Sequence, residues 1–172
     1  MGRQLHFKGP DWTELRSPDD LGLRYTSAQR IGLDRTRSLE TGAEEVCLVN
    51  VGKADVSFRC GDTDGTLGPK DMLYTPRGST LELSGSGGAT LARFGAPAQR
   101  DTSLVHLPFA QMDKDPQIHR VFGKAETNCQ RDVWMGLDRN VDAERLMVGI
   151  CQGRAGGWTG WISVGGKTID TA

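Results

Sequence analysis

The stretch Thr41–Leu83, TGAEEVCLVNVGKADVSFRCGDTDGTLGPKDMLYTPRGSTLEL, decides the fold. Within it, Glu44–Asn50 holds the unbroken apolar run VCLV, which is typical of a strand buried on both faces. Asp55–Cys60 alternates apolar and polar residues, and Thr80–Ser84 does so again, as strands with one buried face do. Met72–Thr75 adds a short strand that ends at a Pro-Arg-Gly turn. Short strands at this spacing predict an all-β, two-sheet barrel of the jelly-roll kind.

The same alternation predicts which side chains fill the barrel and where the chain turns. Gly52 and Lys53 separate the first two strands and predict a hairpin, and Gly61–Gly65 predicts a turn-rich break. Glu44 and Glu45 stand at the start of the first strand, where we expect solvated carboxylates. The predicted core residues are Val46, Leu48, Phe58, Leu73, Leu81 and Leu83.

Composition excludes several classes of partner. The chain has 172 residues, enough for one good-sized domain or for one domain and part of another. Its net charge is −1, with Lys and Arg scattered, whereas a nucleic-acid surface needs a concentrated basic face. No apolar run approaches the length of a membrane-spanning helix, and residues 1–12 lack the apolar centre of a secretory signal. We therefore expect neither a nucleic-acid nor a membrane partner.

The cysteines indicate a reducing compartment. There are four of them, none in a C-x-x-C pair and none beside a cluster of histidines, so a zinc site is not expected. Cys47 and Cys60 fall at apolar strand positions and are predicted to act as small core residues. A reduced, cytoplasmic protein fits this usage.

Outside the central stretch the chain predicts three regions. Residues 1–99 form a first barrel, which gains one or two strands from Leu21–Leu33 and another from Ala89–Phe94. Residues 100–132 are polar and interrupted by Pro and Gly, which predicts a connecting arm with at most one helical turn at Leu107–Met112. Arg131–Leu137 and Arg145–Cys151 predict two more strands. These strands begin a second, incomplete barrel over residues 133–172.

The central stretch resembles the cupins, which are small double-sheet β-barrels. Glu45 and Gly52 fit the end of the first cupin motif, Glu followed by six residues and Gly. Pro76 and Gly78 fit the Pro-x-Gly of the second motif, and Asp71 fits the acidic position before it. The resemblance implies a double-stranded β-helix for this region.

The second half narrows the resemblance to one family. Residues 118–133, then 142–149, then the turn GGWTGW at 156–161 are similar to successive segments of the 5-deoxy-glucuronate isomerases of inositol catabolism. The run LGPKDMLYTPRG also resembles the related 4-deoxy-hexosulose-uronate ketol-isomerases. In order, these motifs cover residues 14–161.

The metal ligands that a cupin enzyme needs are not found in this sequence. A mononuclear cupin site typically combines three histidines with a carboxylate. Ser38–Ala43 offers no His-x-His before Glu45, and Leu81 stands where a histidine would follow the second motif. In the family, as the resemblance implies, the first barrel is metal-free and a Pro-Pro-His-x-His segment enters the second. Here Ile162–Lys167 follows the turn instead, and we expect residues 162–172 to be a premature end.

The resemblance implies an aldose–ketose isomerase that converts 5-deoxy-glucuronate to 5-dehydro-2-deoxy-gluconate in myo-inositol catabolism. Such a reaction moves a proton between adjacent carbons through an enediol while a divalent metal polarises the oxygens. Without the ligands, we expect this chain to hold no metal and to be inactive, and whether it is an enzyme stays open. The alternatives are a non-catalytic, metal-free cupin module for packing, assembly or ligand binding, and a 4-deoxy-hexosulose-uronate ketol-isomerase. A small sugar acid is the expected partner, and a homo-oligomer is left open.

Three residues are candidates for substrate contact. Arg131 could hold a carboxylate by a bidentate contact, although a structural ion pair would use the same side chain. Trp158 and Trp161 could floor a sugar pocket, although packing at a domain junction would equally explain them. No catalytic residue is assigned. The histidines lie far apart without ligand spacing, which favours surface or hydrogen-bonding roles for His6, His106 and His119.

Overall fold

A computed structural model describes residues 13–157 and the backbone of two further strands, 161–164 and 167–170. Within the described residues the chain forms two compact units. The first runs to Phe109 and includes Leu137–Val148, and the second comprises Ala110–Gly136 and continues from Gly149. The predicted division at residues 99 and 132 stays a prediction.

Short antiparallel strands dominate the described residues, with two single-turn helices between them. The helices are α1 (Pro18–Leu21) and α2 (Phe109–Met112). The strands are β1 (Ser27–Leu33), β2 (Arg37–Glu40), β3 (Glu44–Asn50), β4 (Val56–Cys60), β5 (Thr63–Leu67), β6 (Met72–Thr75), β7 (Thr80–Gly85), β8 (Ala89–Pro97), β9 (Val105–Leu107), β10 (His119–Phe122), β11 (Arg131–Leu137), β12 (Val148–Gly153), β13 (Trp161–Val164) and β14 (Lys167–Asp170). The predicted all-β class is confirmed.

Two sheets build the first unit. One has the strand order β1-β8-β3-β6-β9 and the other the order β2-β7-β4-β5, and the pairings in both are antiparallel. Period-two alternation gives each sheet an apolar inner face, so the two faces bury each other. The six predicted core residues all lie in this buried cluster, together with Ile31, Leu33, Val56, Leu67, Ala89 and Leu91.

Four local predictions are confirmed. β3 is buried along almost its whole length, as its apolar run predicts, and β4 alternates between buried and exposed positions. Cys47 is fully buried, and its burial raises the pKa of its thiol, which keeps the thiol protonated. The single helical turn predicted near Leu107–Met112 is also present, as α2.

Other local predictions are wrong in instructive ways. β3 and β4 do not form a hairpin, because the link at Gly52 and Lys53 carries the chain from one sheet to the other. A Cβ on Gly52 would lie 2.7 Å from the backbone oxygen of Gly88, so this crossing needs the glycine. The segment Gly61–Gly65, predicted as a turn-rich break, instead contains most of β5, and β2 lies in the polar stretch before the central one, where no strand is predicted.

The second unit contains the three-stranded sheet β10-β11-β12, and β13 pairs with β14. β10 pairs antiparallel with β11, so that His119 lies opposite Trp134 and Phe122 opposite Arg131. β11 has the predicted bounds, whereas β12 begins at Val148, three residues after the predicted start. Among the described residues, no helix combines the length and apolarity needed to cross a membrane.

Candidate functional site

Polar side chains enter the barrel interior at one end of the larger sheet. Arg93 lies opposite Leu48 in the β3–β8 pairing, and directly opposed residues share one face, so Arg93 points inward with the core. Its guanidinium donates to Glu44 Oε2 at 2.6 Å and to Ser27 Oγ at 2.9 Å. Gly95 makes room for this group, because a Cβ there would lie 2.6 Å from Glu44 Oε2. The interior therefore holds a buried guanidinium whose charge is balanced by the half-buried Glu44 carboxylate.

Glu45 is completely enclosed, unlike the other described carboxylates of the first unit, and the expectation of a solvated side chain is wrong. It has no exposed surface. Its Oε1 accepts the backbone N–H groups of Arg145 and Leu146, at 2.6 and 2.7 Å. Its Oε2 accepts the N–H of Glu144 at 2.7 Å and the hydroxyl of Tyr74 at 2.8 Å. Three backbone N–H groups thus fix the segment 144–146 against β3, and the Tyr74 hydroxyl is the fourth donor to the carboxylate.

The segment 144–146, which Glu45 holds, makes a second set of hydrogen bonds through the side chain of Glu144. The carboxylate of Glu144 accepts the backbone N–H groups of Gln99 and Arg100, at 2.7 and 2.9 Å. The hydrogen bond from Arg100, followed by that from Gln99, lowers the pKa of the Glu144 carboxyl. Burial is the main cause that raises the pKa of Tyr74 to about 12, so its hydroxyl stays a donor. We call Glu45, Tyr74 and residues 144–146 the carboxylate latch.

A second carboxylate closes the larger sheet at its β9 edge. Asp71 Oδ1 accepts the backbone N–H of Phe109 at 2.7 Å, and Oδ2 accepts that of Gly68 at 2.9 Å. His106 Nε2 lies 3.1 Å from the same Oδ2, and its ring packs edge-on against Phe58 at 5.7 Å between centroids. His106 thus occupies the hydrogen-bonding role expected for it.

In the second unit a histidine lies between two carboxylates. His119 stacks on Trp134, with ring centroids 4.6 Å apart and an interplanar angle of 17°. Its Nε2 lies 2.8 Å from Asp132 Oδ1, and its Nδ1 lies 3.2 Å from the backbone oxygen of Asp113. Trp134 Nε1 donates to Asp113 Oδ1 at 3.0 Å. These four residues, which we call the His119 cluster, combine two carboxylates, an imidazole and an indole at one place.

Of the three predicted site residues, the structure describes Arg131 in full and Trp161 only by its backbone. Arg131 lies on β11 with its guanidinium 5.8 Å from the centre of the Phe122 ring. Trp161 begins β13, where its backbone pairs with that of Asp170. Trp158 and the side chain of Trp161 lie outside the described residues, as does His6. Sequence reasoning found no role for Asp113 or Asp132, since neither lies at ligand spacing from a histidine.

The divalent metal that the family resemblance implies does not fit the described residues. Within residues 13–157 no group of three or more His, Cys, Asp and Glu side chains is arranged to hold a metal ion. All the lone pairs that Glu45 would offer are directed at donors, and Leu81 is fully buried in the apolar core. The polar groups present pair with one another, so we assign no step of a reaction to a metal held by these residues.

Fold and site together define a cupin-like β-barrel whose described interior is filled by apolar side chains and by the Arg93 guanidinium, which pairs with Glu44. The KduI/IolB family model matches residues 8–163. The chain therefore belongs to the KduI/IolB family. No curated protein matches it.

Two solved structures resemble the chain in fold. An IolB-like protein from Salmonella typhimurium LT2 aligns with a TM-score of 0.57 and 19% identity, covering 76% of this chain and 51% of its own. A Pseudomonas aeruginosa protein named for induction by glyoxylate aligns with a TM-score of 0.59 and 11% identity, covering 80% of this chain and 53% of its own. The chain thus spans about half the length of each, and at these identities the likeness establishes the fold.

Proposed function

We propose that this chain serves an aldose–ketose isomerisation of a deoxy sugar acid, the conversion of 5-deoxy-glucuronate to 5-dehydro-2-deoxy-gluconate in myo-inositol catabolism. Membership of the KduI/IolB family over residues 8–163 is the observation that carries the proposal. The segments 118–133 and 142–149, which resemble 5-deoxy-glucuronate isomerases, favour this reaction over that of the 4-deoxy-hexosulose-uronate ketol-isomerases.

We assign the barrel of the first unit a supporting role, as a metal-free module for packing and assembly. Its interior is packed with apolar side chains, and the carboxylate of Glu45 is used to hold residues 144–146. A group with four hydrogen-bond donors at 2.6–2.8 Å has no capacity left for a substrate or an ion. This packing supports the non-catalytic reading for the first unit.

Arg131 is the residue we assign to the substrate carboxylate. Its guanidinium lies over the Phe122 ring, 5.8 Å from the ring centre, and from there its N–H edge can meet a planar, bidentate partner. Among the described residues no carboxylate forms an ion pair with Arg131, which disfavours the structural ion pair considered from sequence. Trp158 and Trp161 stay predicted contacts for the sugar ring.

A binding titration tests whether the sugar acid is the substrate and whether Arg131 contacts its carboxylate. Isotope-labelled chain is titrated with 5-deoxy-glucuronate and followed by NMR, with 5-deoxyglucose as the uncharged control ligand. We expect saturable binding of the acid that R131Q weakens about tenfold, the loss of one charge-assisted contact. Arg120 lies on the neighbouring strand and bonds only weakly to the backbone oxygen of Gln117, so R120Q is the matched control. Equal binding of the uncharged sugar, or no effect of R131Q, would contradict the assignment.

Turnover tests the proposed reaction, and metal content tests the proposed metal-free role of the barrel. The chain is dialysed, analysed for transition metals, and incubated with each sugar acid. We expect well under one equivalent of metal, and any conversion to favour 5-deoxy-glucuronate. Preferential conversion of the 4-deoxy-hexosulose-uronate would contradict the proposed reaction and favour that of the 4-deoxy-hexosulose-uronate ketol-isomerases. A stoichiometric metal that is lost in E45Q would overturn the supporting role of the barrel.

A further inference from the structure

The His119 cluster joins three separate segments of the second unit. Asp113 follows α2, His119 begins β10, and Asp132 and Trp134 lie on β11. A backbone hydrogen bond also joins two of these segments here, because Ile118 O accepts the N–H of Met135 at 3.0 Å. The His119 ring is 23% exposed, so it is shielded on its stacked face but still reaches solvent protons.

Both ring nitrogens of His119 face acceptors. Nε2 meets the Asp132 carboxylate at 2.8 Å, while Nδ1 meets the backbone oxygen of Asp113 at 3.2 Å and its Oδ1 at 3.4 Å. A neutral imidazole carries one N–H and one lone pair, so it can satisfy only one of these sides. The doubly protonated imidazolium satisfies both. It is also favoured by two neighbouring carboxylates and by the π face of Trp134.

We propose that His119 is a pH-sensitive clip that holds the segment 113–119 against β11 when its ring is protonated and releases it when the ring is neutral. In the neutral ring, the one remaining proton stays on Nε2, which makes the shorter contact, to Asp132. Loss of the other leaves a lone pair of Nδ1 opposite the oxygen atoms of Asp113. Asp113 then loses one of its two partners in the cluster and keeps only the indole N–H of Trp134.

The direction of the response follows from the charges around the ring. The groups that act on it are Asp132, from β11, and Asp113, from the segment after α2, and both are anions. The hydrogen bond to Asp132 is the main cause that raises the pKa of His119 above its ordinary value of about 6.5. A raised folded-state pKa gives stability that is complete below the ordinary value and is lost as the pH rises through the folded-state value. The clip therefore closes as the pH falls through the folded-state pKa of His119, which lies above 6.5, and opens as the pH rises through it.

The experiment follows the whole chain by NMR between pH 5.5 and 9. The His119 ring protons report its titration, and the Trp134 indole N–H, assigned with W134F, reports the contact to Asp113. Amide exchange of residues 113–119 is compared at each pH with that of H119Q, which cannot titrate, so the intrinsic pH dependence of exchange cancels. H106Q is the matched control, since it removes a histidine of the other unit.

We expect the Trp134 indole signal to shift with the midpoint of His119, above pH 6.5. The protection of residues 113–119 relative to H119Q should fall about tenfold for each unit by which the His119 pKa is raised. D132N should lower the midpoint, and H106Q should leave both readouts unchanged. A midpoint at or below 6.5, or an indole signal that stays constant through the titration, would overturn the proposal, and both readouts come from the unmodified chain. A protection relative to H119Q that does not change with pH would overturn it as well.

Discussion

The carboxylate latch makes a sharp prediction, because Glu45 is buried and every donor around it is identified. In E45Q the side chain keeps its shape but exchanges one acceptor oxygen for an NH₂ group. Either orientation of the amide sets N–H donors against two donors of the chain: the N–H groups of Arg145 and Leu146, or the N–H of Glu144 and the hydroxyl of Tyr74. At least two hydrogen bonds to a charged group are lost.

The magnitude follows from those two bonds. Hydrogen bonds to charged groups contribute about 1.5–3 kcal/mol each, and buried donors left unsatisfied add a comparable penalty. Tyr74 can rotate its hydroxyl toward Thr102 Oγ1, 2.8 Å away, which limits the loss on that side. We therefore expect E45Q to lower the free energy of unfolding by about 3–5 kcal/mol, a large part of the total stability of a domain.

The assay is urea unfolding followed by circular dichroism, together with amide exchange of residues 144–146. E82Q is the matched control, because Glu82 makes the same kind of charge-assisted contact with Arg59 on an exposed sheet face and should cost less than about 1 kcal/mol. The reasoning is refuted if E45Q and E82Q differ by less than 1 kcal/mol while the amides of residues 144–146 keep their protection.

Three further predictions test the core and the latch. Thr75 Oγ1 is buried without a hydrogen-bond partner, so T75V should raise the free energy of unfolding by about 1 kcal/mol in urea titrations, whereas T66V on the exposed face should not. F58A should cost about 3–5 kcal/mol, and G65A about 1–3 kcal/mol because its Cβ would lie 2.8 Å from the Phe58 ring; F58L should relieve part of the G65A cost in a double-mutant cycle. The lowered pKa of Glu144 supplies stability above its ordinary pKa that is lost as the pH falls through the folded-state value, so E144Q should flatten the pH dependence of unfolding below about pH 4.5, and an unchanged profile would contradict this.

What the sequence could predict here depends on how far apart along the chain the interacting groups lie. Core positions such as Phe58 and Leu83 follow from alternation within a single strand, which is a local property. The hairpin predicted at Gly52 failed because a turn sequence shows that the chain reverses but not which sheet the next strand joins. β2 and β5 were missed because their pairing with longer neighbours, β7 and β4, outweighs their own polar composition.

The polar sites show the same limit more strongly. The backbone donors to Glu45 lie 99, 100 and 101 residues away, and Arg93 finds Ser27 at a separation of 66. An N–H group carries no side-chain signature, so a carboxylate satisfied by backbone looks, in sequence, like any solvated glutamate at the start of a strand. This also bears on the motif itself. Glu45 fits the acidic position of the first cupin motif, yet here its oxygens hold residues 144–146, so a match to that motif identifies a position in the fold rather than the task of its side chain.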